Sequence, residues 1–196
     1  MKTLFKVLVA LIVLTNVATA QVKWSVDPAH TNARFEVKHL GIAFVDGQFK
    51  QLEGEVETTN DKDFKNAKIN FSIDINSIDT RIEMRDNHLK SDDFFNAEKY
   101  PKMTLSNAIL KKDKSGKYTL TGDLTIRDIT KKITFHVKQN NGIITDPWGM
   151  TRAGFTATTT INRLDYGIKY NDVLPSGTPA VAPDVAITVN VEIVKK

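Results

Sequence analysis

Cysteine is absent from all 196 residues. That excludes a thiol nucleophile, a thiolate metal site, a disulfide framework and an acylated N-terminal cysteine. Histidine occurs only four times, at His30, His39, His88 and His136, and none has a second histidine at a tight ligand spacing such as H-E-x-x-H. No G-x-S-x-G nucleophile elbow and no P-loop is present. "RDNHLKSDD" lacks the alternating oxygen ligands and the glycine of a calcium loop. Acids and bases alternate along the chain without a basic stripe, so nucleic acid is not an expected partner. No Gly-, Ser- or Pro-rich linker and no internal repeat divides the middle of the chain, which reads as one domain. No cofactor or metal is implied.

Long apolar runs are missing too, apart from one at the start. "MKTLFKVLVALIVLTNVATA" carries Lys2 and Lys6, an apolar core from Val7 to Leu14, and the small residues Ala18-Thr19-Ala20. This is the pattern of a secretory signal peptide at residues 1–20, cut after Ala20, with Ala18 and Ala20 as the recognition residues. The core falls short of the ~20 residues a membrane span needs. Cleavage leaves a domain at 21–196, without a stable membrane span, in the periplasm or secreted. It removes Lys2 and Lys6 from a formal charge of +4, so the working protein is nearly neutral. A domain of this length can bury a sufficient core without disulfides.

What is abundant is alternation of period two, the mark of half-buried strands. Phe35 and Val37 alternate with Arg34, Glu36 and Lys38. Ile69, Phe71 and Ile73 alternate with Lys68, Asn70, Ser72 and Asp74. Leu124 with Ile126, Ile133 with Phe135 and Val137, and Phe155 with Ile161 repeat the pattern, as does the run from Val185 to Ile193. Turn signals at Lys114-Ser115-Gly116, Asn141-Gly142 and Asp146-Pro147-Trp148-Gly149 separate the runs. About eight such strands make an all-β antiparallel sheet, which must close into a barrel or fold into a sandwich to cover its dry face. That face carries no charge in these strands, and Thr159 is its only polar side chain between Phe155 and Ile161. General acid–base chemistry needs a titratable group in reach. A ligand inside would therefore sit among hydrocarbon, although a fully packed core would read the same.

"TRIEMRDNHLKSDDFF" interrupts the strands with a short helical insert, about residues 80–98. Thr80 and Glu83 have the spacing of a capping box. Ile82, Arg85, Asp86 and Leu89 share one helical face, so the two charges turn toward the barrel. Partly buried charges need partners. The spacing predicts a carboxylate partner for Arg85, with Asp165 the first candidate, and leaves a head-group site at the barrel mouth as the other reading. His39 shares parity with Phe35 and Val37 and is expected inward at its strand end, at that mouth. The candidate mouth residues are His39, Arg85, Asp86 and His88.

Taken in order, several segments resemble the YceI-like proteins, exported bacterial lipocalin-like barrels. They are "WSVDPAHTNARFEVKHLG", "VDGQF", "RDNHLKSDDFF", "YPKMTL", "GDLTIRDITKKITFHV" and "AGFTATTTINRLDYG", the last supplying Arg163, Asp165 and Gly167 as a structural signature. The likeness covers nearly all of the mature chain. Asp128 stands in a hairpin turn where the family often has glycine, and "NDVLPSGTPAVAPD" fits less well. The resemblance implies a lipocalin-like barrel with a helical lid, holding a long apolar or amphiphilic polyisoprenoid-type lipid, often as a homodimer, with no agreed enzymatic activity. Phe35, Val37, Ile69, Phe71, Ile73, Leu124, Ile126, Ile133, Phe135, Val137, Phe155 and Ile161 would line the ligand site. The competing readings are an enzyme acting on a lipid head group at the mouth, and a packed envelope stress protein without ligand.

Overall fold

The computed structural model describes residues 21–196; the leader expected at 1–20 lies outside them. The strands are β1 (Val22–Val26), β2 (Asn32–His39), β3 (Ala43–Phe49), β4 (Leu52–Thr58), β5 (Ala67–Asp74), β6 (Ile78–Asp79), β7 (Lys102–Lys112), β8 (Tyr118–Ile126), β9 (Ile129–Gln139), β10 (Ile144–Thr145), β11 (Thr151–Asn162) and β12 (Val181–Lys195). One helix, α1 (Glu83–Lys90), lies between β6 and β7. Every pairing between these strands is antiparallel. The order is β10-β11-β9-β8-β7-β5-β4-β1-β12-β2-β3-β6, and a further β11–β12 pairing closes the sheet on itself. β1 runs on into β2 and β3 into β4 as two bent strands, and β6 and β10 are short edge pieces. The result is an eight-stranded closed barrel.

The alternation seen in the sequence is the alternation of the wall. On β8 every second residue from Tyr118 to Ile126 is buried, and β9 opposes it with Phe135 against Leu120. Thr159, the polar exception, donates its hydroxyl to the Thr134 carbonyl at 3.0 Å and so adds no free polar group to the interior. One end of the barrel is filled by aromatic rings. Trp24 is fully buried, lies 5.0 Å from the Phe64 ring and donates to Thr58 Oγ1 at 3.2 Å. Phe64 in turn meets Phe155 edge-on at 4.9 Å. Phe64 comes from the loop between β4 and β5, a stretch that reads as an ordinary charged turn.

The helix is shorter than the sequence suggests, and its start is built differently. Arg81 takes a left-handed backbone (φ 69°), Ile82 is the N-cap residue, and no side chain caps the first turn. Thr80 is instead wholly buried beneath the helix. Asp86 reaches back to accept from the Thr80 backbone N–H at 2.8 Å and its hydroxyl at 2.6 Å. The capping box is therefore replaced by a loop closed from the middle of the helix. After Lys90 the chain turns, with Ser91 Oγ donating to the His88 carbonyl at 2.8 Å, and delivers Phe94 and Phe95 downward.

That turn is fastened from below by the β8–β9 hairpin. Its two-residue turn places the left-handed backbone on Arg127 (φ 57°), not on Asp128. Such a conformation costs a non-glycine residue about 1–2 kcal/mol. The Arg127 side chain uses the resulting direction: Nη1 donates to the carbonyls of Asp92 (2.9 Å) and Phe94 (2.8 Å), and Nη2 to Asp92 Oδ1 (2.7 Å). Lys169 also binds Asp92, and these two cations hold the Asp92 carboxyl down at about 2.

Candidate functional site

Between the aromatic plug and the helix lies an internal cavity of about 210 Å³. Apolar voids of roughly 150 Å³ stay dry and take up small hydrocarbons, whereas a packed interior leaves few spaces larger than a water. Of the twelve interior residues expected from the sequence, Phe35, Val37, Ile69, Phe71, Ile73, Leu124, Ile126, Phe135, Val137, Phe155 and Ile161 line it. Ile133 does not. It is buried in the core opposite Gly122, within the wall and away from the space. The lid contributes Leu89, Phe94 and Phe95, and β12 contributes Val185, Ile187 and Val189. Phe95 reaches the Phe49 ring edge-on at 5.8 Å, and Phe49 meets Phe35 at the same distance, so lid and wall join through aromatic contact.

None of the four expected mouth residues lines the cavity. His39 is exposed at the end of β2. It pairs with Val181, which lines the cavity, and so keeps the parity of Phe35 and Val37, but it lies at the strand end beyond the cavity, where Leu40 turns left-handed (φ 52°). His88 is also exposed, with Nε2 at 3.1 Å from Asp93 and its ring edge-on to Phe94 and Tyr170. Arg85 and Asp86 do face inward, but both are spent on Thr80. Arg85 Nε donates to Thr80 Oγ1 at 2.8 Å and Nη2 to the Thr80 carbonyl at 2.7 Å. Asp165, expected to pair with Arg85, is exposed and meets Lys131 at 3.3 Å.

The signature residue Arg163 sits elsewhere, and it is the only charged residue among the buried ones described. It opens a short 3-10 turn, Arg163–Tyr166, capped by Asn162 and ended by Gly167 in the left-handed region (φ 69°). Its Nε donates to the Ala182 carbonyl at 3.0 Å, Nη2 to the Val181 carbonyl at 2.8 Å, and Nη1 to the Tyr170 carbonyl. It therefore binds the start of β12 to the segment that follows the turn. The same segment holds the lid: the backbone N–H groups of Lys169 and Tyr170 donate to the Asp93 carbonyl at 3.0 and 2.9 Å, and the Tyr170 ring stacks on Phe94 at 5.1 Å.

A second polar cluster lies on the rim at the plugged end. Arg152 donates to Asp27 (2.7 Å), Glu192 (2.6 Å) and Asp146 (2.6 Å), while His30 Nδ1 lies 3.0 Å from Asp27. His30 first and Arg152 second bring the Asp27 carboxyl down to about 2, and Asp27 in turn raises His30. Asp27, His30 and Glu192 have a spacing that could suit a cation, but the Arg152 guanidinium already occupies both carboxylates. The Asp27–His30 pair is one interaction seen from two ends. Its contribution is present above the ordinary aspartate value and lost as pH falls through about 2; it is also lost as pH rises through the raised histidine value. Asp27→Asn should therefore reduce stability most near pH 5 and flatten the acid limb. Urea midpoints at about pH 3, 5 and 8 check this, and an unchanged pH profile would show the pair to be inert.

Fold and cavity together define a lidded, apolar-cored barrel. A model of the YceI-like domain matches residues 24–193, and the chain belongs to that family. It is 38% identical over 167 residues to the UPF0312 protein SA2479 of Staphylococcus aureus, covering 85% of this chain and 94% of that protein. Against the UPF0312 protein VPA0850 of Vibrio parahaemolyticus it is 36% identical over 140 residues, covering 71% and 73%. Among solved structures, the Campylobacter jejuni YCEI protein superposes with a TM-score of 0.65 at 32% identity, over 81% of this chain and 90% of that one. A polyisoprenoid binding domain from Saccharophagus degradans superposes with a TM-score of 0.62 over 88% of this chain and 98% of that one; at 15% identity it shows shared fold alone.

Proposed function

We propose that this protein is an exported binding protein that encloses a long-chain lipid of the polyisoprenoid type and releases it unchanged. The observation that carries this reading is the cavity: a lidded space walled by hydrocarbon and aromatic rings. The polyisoprenoid binding domain from Saccharophagus degradans, which shares the fold, agrees with such a ligand, and the Ala18-Thr19-Ala20 pattern agrees with export to the periplasm or beyond. An enzyme of lipid head groups fits less well. His39 and His88 are exposed and line no part of the cavity, and Arg85 and Asp86 are engaged with Thr80. No helix among the described residues is long and apolar enough to cross a membrane.

The test uses protein produced with its own leader and purified from a bacterial envelope without detergent. Organic extraction and mass spectrometry should find one polyprenyl lipid, near one per chain. Protein that emerges empty, or that converts the extracted lipid into a new species when it is added back, would overturn the reading.

A further inference from the structure

The aromatic plug is built in layers. Phe64 is 1% exposed and lines the cavity. Trp24 and Tyr118 are buried at the same end, yet neither of them lines it. The Trp24 ring lies 5.0 Å from Phe64, and Tyr118 lies 6.5 Å from Phe155, which itself meets Phe64 at 4.9 Å. Phe64 therefore stands between the hydrocarbon space and Trp24. Its origin differs from that of its neighbours. Leu110, Phe155 and Ile193 are wall residues whose places are fixed by strand pairing. Phe64 comes from the loop between β4 and β5, so its size can change without moving a strand. That loop holds its own shape. Thr58 Oγ1 donates to the Asn60 carbonyl at 2.6 Å, and Asn60 Oδ1 accepts from the N–H groups of Lys62 and Asp63 at 2.8 and 3.1 Å. The Asn66 N–H donates to the Leu110 carbonyl at 2.8 Å. These bonds do not depend on the phenyl ring.

The cavity wall presents almost no polar surface. A polar head drawn inside would lose its hydrogen bonds to water without replacement. An amphiphile then enters chain first from the lid end, and the tip of its chain comes to rest on Phe64. We propose that Phe64 sets the depth to which the barrel takes up an apolar chain, and so fixes how many carbons of a prenyl or alkyl chain count toward affinity. Carbons beyond that depth stay on the lid side. This rests on the lipid-binding reading above and adds to it a determinant of chain length.

The experiment titrates delipidated protein with straight-chain primary alcohols lengthened one carbon at a time. Each methylene taken into apolar surroundings should tighten binding about fourfold, up to a length at which the gain stops. One buried phenylalanine side chain matches about two to four methylenes on the same scale. Phe64→Ala should therefore move that length up by about as many carbons, and Phe64→Leu by fewer; circular dichroism checks that both fold. A wild-type affinity that climbs without a break, or a break that stays in place in a folded variant, would overturn the assignment and leave the carrier reading standing. Binding of no alcohol at any length would overturn both. Depth is read apart from affinity in a Trp148→Phe background, where Trp24 is the remaining tryptophan and the exposed Trp148 leaves the core untouched. A saturating alcohol with bromine on its terminal carbon should quench Trp24 more strongly in Phe64→Ala than with Phe64 in place. Equal quenching would also overturn the assignment. Where Phe64→Ala does not fold, Phe64→Leu carries both comparisons, and where neither folds the wild-type series decides.

Discussion

Phe135→Asp should destabilise the barrel by at least about 4 kcal/mol at neutral pH, because large-to-small aromatic changes alone cost about 3–5 and a buried carboxylate adds to that. Phe135 is 6% exposed, pairs with Leu120 across the wall and faces the cavity. The aspartate would have no partner there, so its carboxyl would titrate well above the ordinary range. The sign follows from that. The folded-state value exceeds the unfolded one, so the penalty is full at high pH and shrinks as pH falls through the folded value. Phe135→Asn, matched in size and uncharged, should lose stability without this pH dependence. Urea midpoints of both variants at about pH 5 and pH 8 separate the charge from the lost packing. A Phe135→Asp protein as stable as wild type at pH 8 would mean that Phe135 does not face the interior.

Thr80→Val should cost roughly 2–3 kcal/mol, with the loss concentrated in the lid, since two hydrogen bonds to charged partners disappear and each is worth about 1.5–3. Thr80 Oγ1 accepts from Arg85 Nε and donates to Asp86 Oδ1. Valine fills the same volume, so packing is kept and only the hydroxyl is lost. The backbone bonds from Thr80 N–H to Asp86 and from Arg85 to the Thr80 carbonyl remain, which limits the effect. Amide exchange should accelerate from Glu83 to Ala97 while the β7–β9 strands keep their protection. Bound lipid should then leave faster, because Leu89, Phe94 and Phe95 close the cavity. Thr80→Ser should restore both. A valine variant with unaltered exchange in the lid would place the hinge of that segment elsewhere.

The wall of this barrel was legible in the sequence because alternation on a strand is a local property. Eleven of the twelve expected lining residues required nothing more than parity and the resemblance to a family. Parity held at His39, which stands opposite the cavity-lining Val181, but where the wall ends and solvent begins was not legible there, next to a left-handed Leu40. The capping box failed because a threonine can serve a helix from beneath as well as from its start, and spacing does not tell the two apart. The Arg152 network joins Asp27, Asp146 and Glu192, which only the closed barrel brings together. Phe64 gave little signal of its role, since one aromatic in "DFKNAKIN" looks like any exposed turn. Arg163 was visible as a signature, but its isolation from acids becomes apparent only when its surroundings are counted in space.

β12 pairs along its length with β11 on one side and with β2 and then β1 on the other. It is the stave that turns an open sheet into a vessel, and it is the last strand of the chain. Joining β1 and β2 to β12 closes a loop of most of the domain, which makes closure entropically late and slow. Until then the hydrocarbon face of the sheet is not enclosed. If the barrel carries a lipid as proposed, one captured during folding need never thread past Leu89 and Phe95, so first filling and later exchange would be separate events with separate barriers.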